Sequence, residues 1–301
     1  MIPAAWKALR VFFGRTKQKK VMSWAKGLAV LVIVCLGFVG TAAALFPLVK
    51  RKIMFMPSKG NGLVPSGFPS STTAMWLQNA GGERLHGLWV PVAPLAMSSP
   101  AATVLISHGT GGNVNQRLQL VDFLHQQNCN VCVYDYRGYG ASDGSPSETN
   151  FYADGELFLN ELLTKYQVPI EDVILLGESI GCAVAAALSA KYATRGLVLL
   201  GGFSSAAEML DDFRTRAAIP AFVARFVPEF PTTRFLQSSQ AKHRLVLHSK
   251  SDEVVGFAHA GRNAEAAQCE VVEVHGGHNN TVWTPDALRA FQLMAAKVVD
   301  T

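Results

Sequence analysis

The chain has 301 residues, of which 49% are apolar and 16% charged, and its net charge is +5. That length suffices for one substantial core plus an appendage. The charge is unevenly placed: residues 1–52 hold ten of the 27 Lys and Arg and no Asp or Glu, so the rest is net acidic and a basic, nucleic-acid-binding body is excluded.

Residues 1–26 read as a basic tail. Residues 27–49, GLAVLVIVCLGFVGTAAALFPLV, carry no charge. At ~1.5 Å per residue such a helix reaches ~34 Å, enough for a hydrocarbon core of ~30 Å. Lys26 stands before it and Lys50, Arg51 and Lys52 after it, which stops it sliding. With no polar face it has nothing to show water, so a soluble core helix is disfavoured. Ala42-Ala43-Ala44 resembles a signal-cleavage site, but the apolar run and the basic leader are both long for a signal peptide, and an uncleaved single-pass anchor is expected. Seven cations precede the segment and four (Lys50, Arg51, Lys52 and Lys59) follow it closely. That bias places the N-terminus in the cytoplasm and the body across the bilayer, in a periplasm, a lumen or outside the cell.

The body, residues 53–301, alternates strands and helices. TAMWLQ and ERLHGLWVPV flank a turn and read as a hairpin. TVLISH is a short buried strand that ends in a glycine-rich turn, and residues 114–127 have helical spacing. NVCVYDY is a strand followed by the turn RGYGASDGSPSE; 151–166 is an amphipathic helix; DVILLG is a strand; 180–193 is a small-residue helix. GLVLLGG, RLVLHS and EVVEVH complete the strands, with helices over 256–267 and 285–299. Repeated βα units with continuous apolar strands imply an α/β fold: a mostly parallel, twisted sheet of about eight strands with helices on both faces. The stretch 203–243, containing Pro220, Pro228 and Pro231, is longer than one crossover needs. It reads as a short insertion with helices near 205–214 and 219–226, either a cap over the sheet's edge or a structural excursion.

Five cysteines in no regular framework argue against a disulfide scaffold. Cys129 and Cys132 straddle the entry to a strand, where their side chains face opposite sides, so two buried or partly buried thiols is the reading. No His/Cys/Asp cluster has metal-ligand spacing, and no cofactor is implied.

Gly177-Glu178-Ser179-Ile180-Gly181 follows the strand DVILLG and opens a helix. A sharp strand-to-helix turn pushes a serine out at the sheet's end, and the helix start aims free N–H groups at the same point. Such a serine needs an imidazole to take its proton and a carboxylate to fix the imidazole's tautomer. In this arrangement acid and histidine follow in that order. Asp252, in HSKSDEVV, and His278, in VEVHGGHNN, each lie just past a strand's C-terminal end. Glu253 is the rival acid. His275 is the rival histidine, but it ends a strand, whereas Gly276 and Gly277 free the chain so that His278 can turn back. His248 and His86 fit the order less well; His125, His243 and His259 read as helix or loop surface. The oxyanion of an acyl-transfer intermediate needs two fixed donors. Ile180 N–H, after the nucleophile, is one; Thr110 N–H, in the turn Ser107-His108-Gly109-Thr110-Gly111-Gly112-Asn113, is the other. A phosphate loop fails there because the Walker lysine and Ser/Thr are absent.

HGTGGN, YDYRGYGASDGSPSE, GESIG, HSKSDEVV and GGHNN, in that order, resemble the α/β-hydrolase superfamily, and within it the single-pass membrane branch that includes lysophospholipases and protein depalmitoylases. The likeness covers residues 53–300, and the anchor followed by KIMFMPS shares it. It implies that YDYRGYG packs beside the active site, with Arg137 structural. The chain departs from the branch at Gly256, usually proline; at Thr110, often Asn; and at Asn280, usually Asp. The combined expectation is a membrane-tethered serine hydrolase acting on an acyl ester or acyl thioester: a lysolipid, an acylated protein or a lipophilic ester. A non-catalytic binding protein on the same fold is the alternative of a different class. A serine peptidase would want an added domain or large insertion for gating.

Overall fold

A computed structural model describes residues 54–92, 102–217 and 228–296. Residues 1–26, the expected anchor at 27–49 and the expected helix at 219–226 lie outside the described residues. Among the described residues no helix is long and apolar enough to cross a membrane.

The hairpin is present as β1 (Thr73–Gln78) and β2 (Arg84–Val90). The side chain of Asn79 builds its turn by accepting from the backbone N–H groups of Gly81 and Glu83. Then come β3 (Thr103–Ser107), α1 (Leu118–Gln126) and β4 (Asn130–Tyr134). Next are α2 (Glu148–Thr164), β5 (Val173–Glu178), α3 (Gly181–Lys191) and β6 (Gly196–Leu200). The insertion holds α4 (Ala206–Ala217) and a short α5 (Thr232–Leu236), which sequence periodicity did not anticipate. The chain closes with β7 (His243–Ser249), α6 (Ala258–Ala267), β8 (Val271–Val274) and α7 (Pro285–Ala295).

Eight strands form one sheet in the order β8-β7-β6-β5-β3-β4-β2-β1. All neighbours are parallel except β2, which runs antiparallel to both β1 and β4. The period-2 alternation of strand side chains assigns the two faces. Val104, Ile106, Ile174 and Leu176 pack with Val121, Leu124 and Phe291 on one side. Leu105, Leu175, Leu197 and Leu199 pack with Phe158, Val184 and Ala264 on the other. Both faces are therefore covered, which is why the central strands read as unbroken apolar runs. Cys129 and Cys132 join opposite clusters, and both are free thiols.

The strand order reverses at β3, which has β4 on one side and β5 on the other. Crevices in open α/β sheets form outside the strands' carboxyl ends at such a reversal. The loops after β3, β5, β6, β7 and β8 all open there.

Candidate active site

Ser179 lies between the last residue of β5 and the first of α3, at φ = +52°. A serine seldom adopts that conformation, so its surroundings must hold it. Its N–H donates to Leu200 O at 3.0 Å, tying the turn to β6. The flanking glycines are needed for closeness. A Cβ at position 177 would come within 2.5 Å of Cys182 Cα, and one at 181 would overlap the carbonyl of Ser107. The strand–turn–helix junction can close only without those carbons.

His278 Nε2 is 3.0 Å from Ser179 Oγ, and its Nδ1 is 2.8 Å from Asp252 Oδ2. The structure thus brings together the three side chains that chain order had grouped. Asp252 Oδ1 accepts from the backbone N–H groups of Val254 and Val255 at 2.9 and 2.8 Å. Burial opposes its ionisation, yet the hydrogen bonds from His278, Val255 and Val254 hold its carboxyl below the usual carboxylate range.

The rivals fall elsewhere. Glu253 Oε2 accepts from the backbone N–H of His278 at 3.1 Å, so it holds the loop and not the ring. His275 has its backbone paired with Val282 and its side chain exposed. His248 is buried, with Nε2 2.8 Å from Val255 O, and burial keeps it below the ordinary imidazole range. His259 does not lie on the surface as its helical position implied. It is 1% exposed, because α4 of the insertion covers that face of α6.

The turn after β3 passes directly over the serine: a Cβ on Gly109 would sit 3.4 Å from Ser179 Cβ. Thr110 is pinned on three sides. Its Oγ1 donates to Met54 O at 2.6 Å, and its carbonyl accepts from Tyr139 Oη at 3.0 Å and from Met56 N–H at 3.3 Å. Neither Thr110 N–H nor Ile180 N–H has an acceptor among the described residues. Two backbone donors beside a serine can receive an oxyanion.

YDYRGYG supplies Tyr139 and holds the rest of the turn, and sequence reasoning missed this detail. Tyr136 Oη donates to His108 O at 3.0 Å, and Asp135 Oδ1 accepts from Val114 N–H at 3.0 Å. Asp135 Oδ2 also meets buried His86 Nδ1 at 3.1 Å. His108 is fully buried beneath the turn, and burial lowers its pKa to about 4. The three tyrosines at 134, 136 and 139 were the available signal: hydroxyls buried among aromatics need partners. Arg137 is structural, with Nε 2.7 Å from Asp154 Oδ1.

Ser179 opens onto a cleft of about 710 Å³. Phe203, Met209, Leu210, Leu120 and Trp283 give it an apolar lining, and Gln116, Gln119 and Asn279 supply polar groups. Arg117 and Glu178 also line it, with Nη1 3.6 Å from Oε2. Burial raises the Glu178 carboxyl above its ordinary range, against the pull of Arg117 and His278. Among the described residues no group of three or more His, Cys, Asp or Glu could hold a metal.

Residues 98–248 match the family described as serine aminopeptidase, S33. Alpha/beta hydrolase domain-containing protein 17B of Homo sapiens is 33% identical over 204 residues, 66% of this chain and 66% of its own length. Protein 17C of Mus musculus, of the same description, is 34% identical over 179 residues, 59% of this chain and 52% of its own length. The chain thus spans just under two thirds of the first relative and about half of the second. Among solved structures, an alpha-beta hydrolase from Vibrio vulnificus is 22% identical with a TM-score of 0.57, covering 70% of this chain and 76% of that one. A Pyrococcus furiosus esterase is 17% identical with a TM-score of 0.57, covering 80% of this chain and 96% of that one. At these identities the structural likeness speaks to the fold.

Proposed function

The chain belongs to the α/β-hydrolase superfamily, and on that premise we propose that it is a serine hydrolase that cleaves carboxylic ester or thioester bonds through Ser179, His278 and Asp252. The observation that carries this reading is the unbroken contact from Ser179 Oγ through the His278 ring to the Asp252 carboxylate.

Ser179 Oγ attacks the acyl carbon while His278 Nε2 takes its proton. Asp252 Oδ2 accepts from Nδ1–H, fixing the tautomer, and stabilises the imidazolium that forms. The oxyanion sits between Ile180 N–H and Thr110 N–H; one such donor is typically worth ~10²–10³ in rate. His278 then passes its proton to the leaving alcohol or thiol. Water repeats the sequence on the acyl-enzyme and regenerates Ser179.

The substrate is an acyl compound in or near a bilayer: a lysolipid, an acylated protein or a lipophilic ester. Its acyl chain lies along the apolar lining, and its leaving group faces the polar side chains of the cleft. A short insertion leaves the site open, which favours short acyl groups or a single exposed chain over bulky triglyceride. Residues 27–49 tether the enzyme to that bilayer, with the N-terminus cytoplasmic and the hydrolase domain on the other side. Resistance of the intact chain to alkaline carbonate extraction tests the tether, and its release into the supernatant overturns it.

The catalytic reading is tested by labelling the full chain with an active-site phosphonate, with and without Ser179→Ala, alongside turnover of p-nitrophenyl acetate, butyrate and octanoate. Labelling of the wild type alone is expected. Equal labelling of both proteins ends the proposal.

A further inference from the structure

A second array of serine, imidazole and carboxylate sits beneath the insertion. Ser204 Oγ is 2.7 Å from His259 Nδ1, and His259 Nε2 is 3.0 Å from Asp212 Oδ2. Ser204 Oγ also donates to the Glu208 carboxylate. Arg262 Nη1 lies 3.2 Å from Glu208 Oε2 and 3.3 Å from His259 Nδ1. Ser204 and His259 are buried. No substrate carbonyl reaches a hydroxyl so enclosed, and its proton is already committed to Glu208, so this is not a second hydrolytic centre.

The donors fix how the ring is used. Ser204 N–H points to His259 Nδ1 at 3.2 Å, and the Arg262 guanidinium approaches the same atom. Nδ1 therefore accepts from Ser204 N–H and Nε2–H donates to Asp212, while the approach of Ser204 Oγ to Nδ1 carries no hydrogen bond, its proton being on the Glu208 side.

The same bonds fix a helix. Glu208 and Asp212 stand four apart on α4, hence on one face, and His259 and Arg262 stand three apart on α6. Each contact across that seam ties α4 to α6 along a full turn. The start of α4 is held from a second side, where Ala206 N–H donates to Glu229 O at 3.0 Å. Glu229 N–H and Phe230 N–H in turn donate to Glu148 of α2 at 2.8 and 2.7 Å. Met209 and Leu210, carried on the α4 turn between the two carboxylates, line the cleft with Ser179.

We propose that Ser204, Glu208, Asp212, His259 and Arg262 form a clamp that sets acyl-chain selectivity. By fixing α4 against α6, the clamp holds Met209 and Leu210 as the wall on which the acyl chain packs, with His259 as the central positioning residue. This rests on the hydrolase reading above. Each methylene removed from water on such a wall tightens binding by about fourfold. An octanoyl chain offers that wall more methylenes than an acetyl group does.

The test uses the full chain with His259→Phe, which keeps the volume and removes both ring hydrogen bonds, and with Asp212→Ala at a half-exposed carboxylate. In both variants KM for p-nitrophenyl octanoate should rise about tenfold while kcat and KM for the acetate stay within about twofold. An unchanged octanoate KM, or parallel losses on both esters, overturns the clamp. Should His259→Phe fail to fold, Asp212→Ala decides alone. If the wild type hydrolyses neither ester, the hydrolase reading fails separately. Limited proteolysis then judges the clamp: Asp212→Ala should speed cleavage within residues 206–217 severalfold, and an unchanged rate sinks it.

Discussion

Ser179–His278–Asp252 and Ser204–His259–Asp212 contain the same three side-chain types at similar separations, 3.0 and 2.8 Å in the first and 2.7 and 3.0 Å in the second. The difference lies in what else each atom meets. Ser179 is thrown out of the sheet at φ = +52° onto the cleft, its hydroxyl proton directed at one imidazole nitrogen, and beside it are two N–H groups with no acceptor among the described residues. Ser204 is enclosed, its proton goes to a carboxylate, and the nitrogen it faces already receives a backbone N–H. The first array has free valences pointing at a space where a carbonyl fits. The second has spent its valences on holding two helices together. Proximity of the right residue types is thus not enough for chemistry; an open approach and an unsatisfied acceptor decide it.

The strongest attempt to break that contrast exchanges the serines. Ser179→Ala should lower kcat/KM for p-nitrophenyl butyrate by ~10⁴-fold or more, since little beyond binding and the oxyanion donors is then left. Ser204→Ala should leave acetate turnover within about twofold. Comparable losses in the two variants, measured by initial rates, would erase the distinction.

The carboxylates come next. Asp252→Asn should cost about 10³- to 10⁴-fold in kcat, because an amide no longer favours the tautomer that accepts from serine. Asp212→Asn keeps an oxygen for Nε2–H and should keep acetate kcat. If both substitutions act alike, His259 is not a positioning group.

How far the sequence reached follows the same division. Ser179, Asp252 and His278 were legible because each sits at a strand's C-terminal end, and a parallel sheet aligns those ends on one rim. Thr110 was placed by the glycines around it, although the tyrosines that hold it were not foreseen. The clamp was illegible. His259 sits in AHAGRNAEAA, a run with no local sign of burial, and its partner Ser204 is 55 positions away across the irregular insertion. Pro228 and Pro231 hid the short helix Thr232–Leu236 for a related reason: it is too brief to show a period.

Acid sharpens the contrast through stability. Burial keeps His259 below the ordinary imidazole range, with Arg262 acting in the same direction and Asp212 and Glu208 acting against it. The folded chain therefore binds this proton less readily than the unfolded one. Its contribution is whole above pH ~6.5 and is lost as pH falls toward the folded pKa. His108, lowered to about 4 by burial, adds a loss over the same window. Melting temperatures from pH 7 to 4 should fall more steeply for the wild type than for His259→Phe, which keeps the shares of His108 and His248 but loses that of His259. Equal slopes would mean that His259 is not buried neutral.

The smallest effect separates two adjacent acids. Asp252 and Glu253 are indistinguishable by motif, yet one bonds the ring of His278 at 2.8 Å and the other its backbone N–H at 3.1 Å. A ring partner must be an anion to stabilise an imidazolium; a backbone partner need only be an oxygen. Glu253→Gln keeps that oxygen and should hold kcat within about twofold, whereas Glu253→Ala frees the loop carrying His278 and should cost about three- to tenfold. The same pair of substitutions at Asp252 offers no such rescue, since Asn fails there as Ala does. A loss of ~10³-fold in Glu253→Gln, read from kcat on p-nitrophenyl butyrate, would move the acid one residue along the chain and leave Asp252 as the group that holds the loop.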